Sequence, residues 1–188
     1  LGLGDVYKRQ LETYRKISQH CPQVKRVIFQ GWGDPLENEN FPAMFQMARQ
    51  AECLTGLATN GFYLTPEISR QLVEERLDFI TFNLEEIPAA EGENRRMSSE
   101  LHQILEQIQH LIDLKKSLKC EKPSVRLSLF MTRLNMGSLS RVVSAAATLG
   151  ADEVFFKNLD YLPEDRWNIL RTFYHESPTP AFQDAVDD

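Results

Sequence analysis

Polar and glycine-containing segments directly follow four apolar runs of this sequence, and they hold the residue types best suited to ligand chemistry. Their candidate binding residues are Gly31, Trp32, Gly33, Asp34, Asn60, Asn83, Glu85, Arg133 and Asn135. Glycine lets the backbone approach a ligand closely, and an arginine fork suits a carboxylate. Asn83 and Glu85 occupy alternate positions at the end of an extended run, so their side chains point to the same side. The pattern predicts a binding site built from loops.

Alternating strands and helices would position these segments. Predicted strands cover residues 24–29, 54–58, 77–83, 125–131 and 153–158. Predicted helices cover residues 11–20, 41–52, 65–76, 99–119 and 138–149. Such alternation implies an α/β fold with parallel strands joined by right-handed crossovers. Ligands bind at the carboxyl ends of such strands, so we expect the candidate residues to gather around one mouth. Periodicity alone does not separate a partial barrel from a doubly wound sheet.

Composition limits the function classes. The 188 residues suit one domain, and a hydrophobic content of 42% is enough for a packed core. The net charge of −6 argues against a nucleic-acid binder, which would need a basic face. No apolar run approaches the ~20 residues that a membrane helix needs. Three scattered cysteines suit a reducing compartment, so a cytoplasmic protein is expected.

The order and spacing of the segments resemble the middle of a radical S-adenosylmethionine (SAM) enzyme, from about Leu11 to Tyr161. Such enzymes carry a glycine-glycine-glutamate-proline element after the second strand, commonly threonine-asparagine-glycine after the third, and a small polar pair after the fourth. This sequence departs from the first element at Trp32, between the glycines, and at Asp34, in place of glutamate. The resemblance implies a partial (β/α)6 TIM-like barrel whose first strand is missing here.

The resemblance also implies roles for the candidate residues. Residues 31–34 would receive the methionine end of SAM, mostly through backbone groups, and Asn60 would shape the site. The pairs Asn83 with Glu85 and Arg133 with Asn135 would lie near the carboxylate and ribose of SAM. Lys157, Asn158 and Asp160 lie at or just after the end of the last strand, where the adenine usually lies in this family. No catalytic residue or metal ligand is assigned to this chain.

A [4Fe-4S] cluster is the second cofactor that the resemblance implies. The family holds it with three closely spaced cysteines, whereas Cys21, Cys53 and Cys120 are dozens of residues apart. Its ligands are therefore expected upstream of Leu11 and absent from this chain. In the family, a reductant such as ferredoxin or flavodoxin reduces the cluster, which cleaves SAM to a 5′-deoxyadenosyl radical that abstracts hydrogen from a substrate. We expect this fragment alone to be inactive.

The two ends of the sequence are expected to lie outside the core fragment, which covers residues 11–161. Residues 1–10 include a stretch that one reading frame of a common sequencing adaptor encodes, so they are interpreted as a scar. Residues 162–188 are interpreted as the start of a truncated C-terminal extension. In one branch of the family, a cysteine-rich domain with auxiliary clusters follows there.

Two alternatives stay open on sequence grounds. One is a fragment of a TIM-barrel-like aldolase or isomerase, which would need a base or a Schiff-base lysine at a strand end, where only Lys157 is suitably placed. The other is a non-catalytic α/β interaction module, which would have no pocket at the strand mouths.

Overall fold

The computed structural model describes residues 3–21, 23–84, 99–133 and 135–158, without the side chains of residues 3–10 and of Ser138. The strands are β1 Arg26–Phe29, β2 Leu54–Thr59, β3 Phe79–Leu84, β4 Ser124–Met131 and β5 Glu153–Asn158. The α-helices are α1 Leu3–His20, α2 Phe41–Gln50, α3 Pro66–Glu74, α4 Ser99–Ser117 and α5 Leu139–Leu149. Two 3₁₀ turns, Pro35–Glu37 and Met136–Ser138, complete the described elements. None of the described helices combines the length and apolar character needed to cross a membrane.

The five strands form one parallel sheet in sequential order, β1-β2-β3-β4-β5. Each neighbouring pair is in parallel register, as where Ile28 pairs with Gly56 and Gly56 with Phe79. A doubly wound sheet would reverse direction around a switch point, and no reversal occurs among the described strands. The predicted α/β architecture of a partial TIM-like barrel is therefore confirmed.

Alternation along each strand divides the sheet into two faces. In β3, Ile80, Phe82 and Leu84 are buried, whereas the residues between them retain more exposure. The buried set belongs to one core that also contains Phe45 of α2 and Ile108 of α4. Sequential parallel order with right-handed crossovers places all connecting helices on this face. The opposite face, which we call the concave face, is the inner side of the partial barrel.

The first helix begins earlier than the sequence predicted. Helix α1 starts at Leu3, eight residues before the expected start at Leu11, and runs unbroken to His20. The sequence just before Leu11 contains no capping residue or helix breaker that would mark a helix start. The amino-terminal boundary of α1 could therefore not be read from the sequence. The side chains of residues 1–10 are not among those that the structure describes, so the interpretation of these residues as a sequencing scar stays a prediction. Residues 162–188 also lie outside the described residues.

A repeated aspartate contact fixes the amino-terminal edge of the sheet. Asp78, just before β3, accepts a 2.7 Å hydrogen bond from the backbone N–H of Thr55 in β2. Asp152, just before β5, accepts one of the same length from Val125 in β4. In both cases the aspartate N–H also donates to the carbonyl of that same residue. Each of these paired backbone and side-chain contacts fixes the register between two neighbouring strands. The register in turn fixes the relative positions of the carboxyl ends of those strands.

Candidate functional site

A cavity of about 540 Å³ opens at the carboxyl ends of the strands. Its described lining is Gln30, Gly31, Trp32, Gly33, Asp34, Ala58, Thr59, Asn60, Asn83 and Lys157. Four strands, β1, β2, β3 and β5, therefore contribute to one concavity, which we call the mouth. Its volume lies within the ~300–1,000 Å³ typical of small-molecule sites. The alternative of a non-catalytic interaction module predicted no pocket at the strand ends, so this cavity argues against that alternative.

The loop after β1 is shaped by Asp34. One carboxylate oxygen accepts a hydrogen bond from Leu36 N–H at 2.9 Å, which caps the 3₁₀ turn that begins at Pro35. The other accepts from Thr59 Oγ1 at 2.7 Å and from Asn60 N–H at 2.8 Å. Both oxygens are thus engaged by the protein. The carboxylate joins the loop after β1 to the end of β2 and leaves the loop backbone to face the mouth.

Glycine is required at one position of this loop for a conformational reason. Gly33 has φ of +86°, in the left-handed region that side chains disfavour. Trp32 beside it is fully exposed, with its ring outside the core. The loop therefore presents backbone groups and one aromatic side chain to the mouth.

The loop after β2 is a tight turn closed by its own side chains. Asn60 Oδ1 accepts from Phe62 N–H at 2.8 Å, and Thr59 Oγ1 accepts from Gly61 N–H at 3.0 Å. This is the local bonding by which asparagine and threonine favour turns. Asn60 lines the mouth, but its amide oxygen is committed to the turn, so its role there is to hold the loop.

Asn83 of β3 and Lys157 of β5 meet across the mouth. Lys157 Nζ donates to Asn83 Oδ1 at 3.3 Å, and both side chains are exposed. The pair brings an ammonium group and an amide to one wall, where they can bind a carboxylate or hydroxyl groups. Lys157 lies 74 positions from Asn83, and no local pattern in the sequence signals that contact.

Of the eight predicted site residues that the structure describes, two are not among those lining the mouth. Asn135 holds the turn after β4, because its side chain accepts from Thr132 N–H and donates to the Phe130 carbonyl, both at 2.8 Å. Arg133 is exposed in that turn. Glu85 and Asp160 lie outside the described residues. The structure thus brings together the other six: Gly31, Trp32, Gly33, Asp34, Asn60 and Asn83.

Three lining residues, Gln30, Ala58 and Thr59, were missed by sequence reasoning. Gln30 and Thr59 stand next to predicted loop residues, and both line the mouth. Thr59 is the first residue of the threonine-asparagine-glycine element at the end of β2, so its position in the mouth could have been inferred from that element. Gln30 follows the last residue of β1 and offers no comparable signal.

The described cysteines do not form a cluster site. Cys21 is exposed, Cys53 is buried and donates its thiol to the Val24 carbonyl at 3.2 Å, and Cys120 is half-buried. No group of three cysteine, histidine or acidic residues among the described positions could hold a metal ion. The described part of the chain therefore does not fit a [4Fe-4S] cluster.

Comparison of the sequence with known proteins finds a curated relative. No family model matches the chain. A curated relative, the tungsten-containing aldehyde ferredoxin oxidoreductase cofactor-modifying protein of Pyrococcus furiosus, is 25% identical over 166 residues, which are 88% of this chain. The chain spans 46% of the length of that relative.

Solved structures share the fold at low sequence identity. SuiB of Streptococcus suis bound to S-adenosylmethionine matches with a TM-score of 0.66 and 11% identity, over 87% of this chain and 36% of SuiB. The enzyme anSMEcpe, with bound AdoMet and a peptide, matches with a TM-score of 0.58 and 19% identity, over 86% of this chain and 45% of that chain. Both are radical SAM enzymes. The resemblance drawn from the loop motifs is confirmed, and this chain has the fold of the radical SAM enzymes.

Proposed function

We propose that the mouth binds SAM and that the chain supplies the SAM-binding part of a radical SAM enzyme. The observation that carries this proposal is that six residues predicted from separate motifs line one cavity at the carboxyl ends of parallel strands. In other α/β folds this edge of the sheet is where ligands bind. Neighbours with the same fold were solved with SAM bound, which supports the same ligand here.

The residues present suit the ligand. The backbone carbonyls of the Gly31–Gly33 loop would accept hydrogen bonds from the ammonium group of SAM, since the Asp34 carboxylate is engaged by protein donors. Lys157 and Asn83 would bind the carboxylate or ribose hydroxyls from the opposite wall. Trp32 would stack against the ligand as the exposed aromatic group of the loop.

In this family, bound SAM supplies a 5′-deoxyadenosyl radical for hydrogen abstraction from the substrate. This chain's own residues would bind and orient the ligand and would exclude water from it. The cluster needed for that chemistry would have to be held outside the described residues, because their cysteines do not converge. A ferredoxin or flavodoxin as reductant, and a cytoplasmic location, stay expectations of the resemblance.

Calorimetric titration of the chain with SAM tests the proposal. Replacing Lys157 by alanine should weaken binding about tenfold, which corresponds to about 1.4 kcal/mol, because the substitution removes a donor from the wall. Lys116→Ala is the matched control, since Lys116 is an exposed helix residue far along the chain from any mouth residue. Absence of SAM binding by a folded chain, or equal affinities of both variants, would contradict the proposal.

The aldolase alternative is tested with the same variant. A Schiff-base lysine is normally activated by desolvation in an apolar pocket, whereas Lys157 is exposed and donates to Asn83. Borohydride trapping in the presence of pyruvate should therefore leave Lys157 unmodified in intact-mass spectra. A covalent adduct that disappears in Lys157→Ala would show that Lys157 can form the Schiff base that the aldolase alternative requires.

A further inference from the structure

An arginine lies on the concave face, inside the partial barrel and away from the mouth. Arg126 is the third residue of β4, on the face opposite the buried Val125 and Leu127. Phe130, on the same face and strand, pairs in register with the mouth residue Lys157. Phe130 is four positions after Arg126, which corresponds to ~13 Å along a strand. Arg126 is therefore rooted deeper in the barrel than the residues of the mouth.

Aromatic rings hold the guanidinium of Arg126 in a fixed plane. Its central carbon lies 4.1 Å from the centroid of the Phe79 ring and 5.9 Å from that of Phe155. The Phe79 ring occupies the space above Gly56, where an added Cβ would come within 2.1 Å of it. Glycine at that position thus makes room for the ring on which the guanidinium rests. Cation–π stacking of this kind orients arginine for directional hydrogen bonding.

The hydrogen-bonding groups of Arg126 are incompletely used. Nε lies 2.9 Å from Glu153 Oε1, close enough for an ion pair. The same Nε is buried and makes no well-directed hydrogen bond, so we regard the contact as electrostatic. Glu153 Oε1 also accepts from Ser124 Oγ at 3.3 Å. Among the described residues, the structure shows no hydrogen-bond acceptor for the two Nη groups of Arg126.

One atom of Arg126 is unusual for a purely structural residue. Buried polar atoms nearly always have partners, and the buried Nε of Arg126 has no well-directed one. Arg126 nevertheless keeps 27% of its side chain exposed, although Nε is buried. Arg126 is on the face of β4 opposite the core residues Val125 and Leu127, so its unmatched donors belong to the concave side of the sheet.

We propose that Arg126 is the binding residue of an oxyanion subsite for the substrate, which would carry a carboxylate or phosphate group. The two Nη groups present the planar fork that binds such groups bidentately. The Phe79 ring lies against the fork, and the Glu153 carboxylate keeps Nε close to it. This inference rests on the proposed function, since it assigns the mouth to SAM and the deeper concave face to the second reactant.

Side-chain NMR of the isotopically labelled chain tests the subsite. Inorganic phosphate and, separately, acetate are titrated while the ¹H–¹⁵N signal of Arg126 Nε is followed, with sodium chloride at matched ionic strength as the reference. The signal should shift and saturate at millimolar phosphate. Arg126→Lys lacks the Nε reporter, so phosphate binding to this variant and to the unsubstituted chain is compared by calorimetry. The variant should bind phosphate about tenfold more weakly because it keeps the charge and loses the fork. Arg70→Gln, which alters an exposed pair on helix α3, should change nothing.

A shift no larger than that produced by chloride would overturn the proposal, as would equal phosphate affinity in Arg126→Lys. Thermal unfolding of each variant checks folding. If a variant does not fold, the titration of the unsubstituted chain still tests the proposal.

SAM titration separates the two sources of the oxyanion. If SAM displaces phosphate from Arg126, the group bound there is the carboxylate of SAM and the substrate subsite is wrong. If phosphate binds and SAM does not, the subsite stands and the proposed function of the mouth fails.

Discussion

At the scale of single residues, Asp34 shows how one side chain can determine the shape of a site without being available to the ligand. Its two oxygens accept three hydrogen bonds, from Leu36, Thr59 and Asn60. The sequence placed this residue in the mouth, but as a ligand contact. We interpret it as a positioning residue, because its hydrogen-bonding capacity is largely taken up by the protein.

Replacing Asp34 by alanine should loosen both loops at once. Hydrogen bonds to charged groups contribute about 1.5–3 kcal/mol each at most, and a net loss of about 2 kcal/mol in the free energy of unfolding is expected. Urea unfolding measures this loss. Affinity for SAM should fall with it, since the backbone carbonyls of the loop are no longer held in place.

Glu37→Ala is the control, because Glu37 is an exposed acid in the same loop. It should leave both the unfolding midpoint and the SAM affinity unchanged. If Asp34→Ala lowered SAM affinity with no loss of stability, Asp34 would act as a direct ligand contact and the positioning role would be wrong.

The ionisation of Asp78 affects the stability of the fold. Burial tends to raise the pKa of this carboxyl, but hydrogen bonds from Lys122 and from the Thr55 N–H outweigh it, so the pKa lies below its usual value. A carboxyl with a lowered folded-state pKa stabilises the protein above its unfolded-state pKa, near 3.9. That contribution is lost as the pH falls through the lower, folded-state pKa.

Asp78→Asn should therefore destabilise the chain by about 1–3 kcal/mol at pH 7, and the difference from the unsubstituted chain should shrink below about pH 4. Chemical denaturation at a series of pH values measures it. Asp152→Asn is the matched control, because Asp152 makes the same backbone contact but its side chain is 47% exposed, against 13% for Asp78. A larger loss in Asp152→Asn would contradict this account.

At the scale of secondary-structure elements, the close approach of β2 and β3 depends on Gly56. A Cβ at this position would lie 2.1 Å from the Phe79 ring, which is itself held against Arg126. The ring cannot move without disturbing the guanidinium. Gly56→Ala should therefore destabilise the sheet by about 1–3 kcal/mol through overpacking, measured by urea unfolding.

A double-mutant cycle isolates that contact. Phe79→Leu removes the ring, so Gly56→Ala should cost much less in the Phe79→Leu background. Gly137→Ala, where an added Cβ meets nothing within 4 Å, should be close to neutral. Additive effects of Gly56→Ala and Phe79→Leu would show that the ring is not the cause.

The elements themselves were largely predictable, and their ends were not. All five strands and five α-helices lie where the periodicity placed them, with shifts at the boundaries. Helix α3 illustrates a strong local signal, since Thr65 caps it by accepting from Ile68 N–H at 3.3 Å and Pro66 occupies its first turn. The 3₁₀ turn at Pro35–Glu37 was not predicted, because it depends on the Asp34 cap and on burial of Leu36.

At the scale of the whole molecule, β1 forms one edge of the described sheet. Among the described strands it pairs only with β2. Val24, just before β1, is 43% exposed, and Ile28, within β1, is 40% exposed. An exposed apolar edge strand is a template for pairing between chains. We expect the 188-residue chain to self-associate through this edge.

Ile28→Lys should reduce that association, because an edge lysine opposes strand pairing between copies. Light scattering as a function of concentration measures the effect, with far-UV circular dichroism as a check of folding. Ile17→Lys is the matched control, since Ile17 is 55% exposed on helix α1. Equal scattering by the two variants would exclude the β1 edge as the site of association.

The sequence by itself determined the alternation of strands and helices, the sheet's parallel character and the loops that would form a mouth. These features are local, because they follow from apolar periodicity and from turn residues at strand ends. The tertiary structure decided how the loop side chains are used. Asp34 meets Thr59 across 25 positions, and Lys157 meets Asn83 across 74. The stacking of Arg126 on Phe79 likewise depends on strand register, which no window of sequence contains.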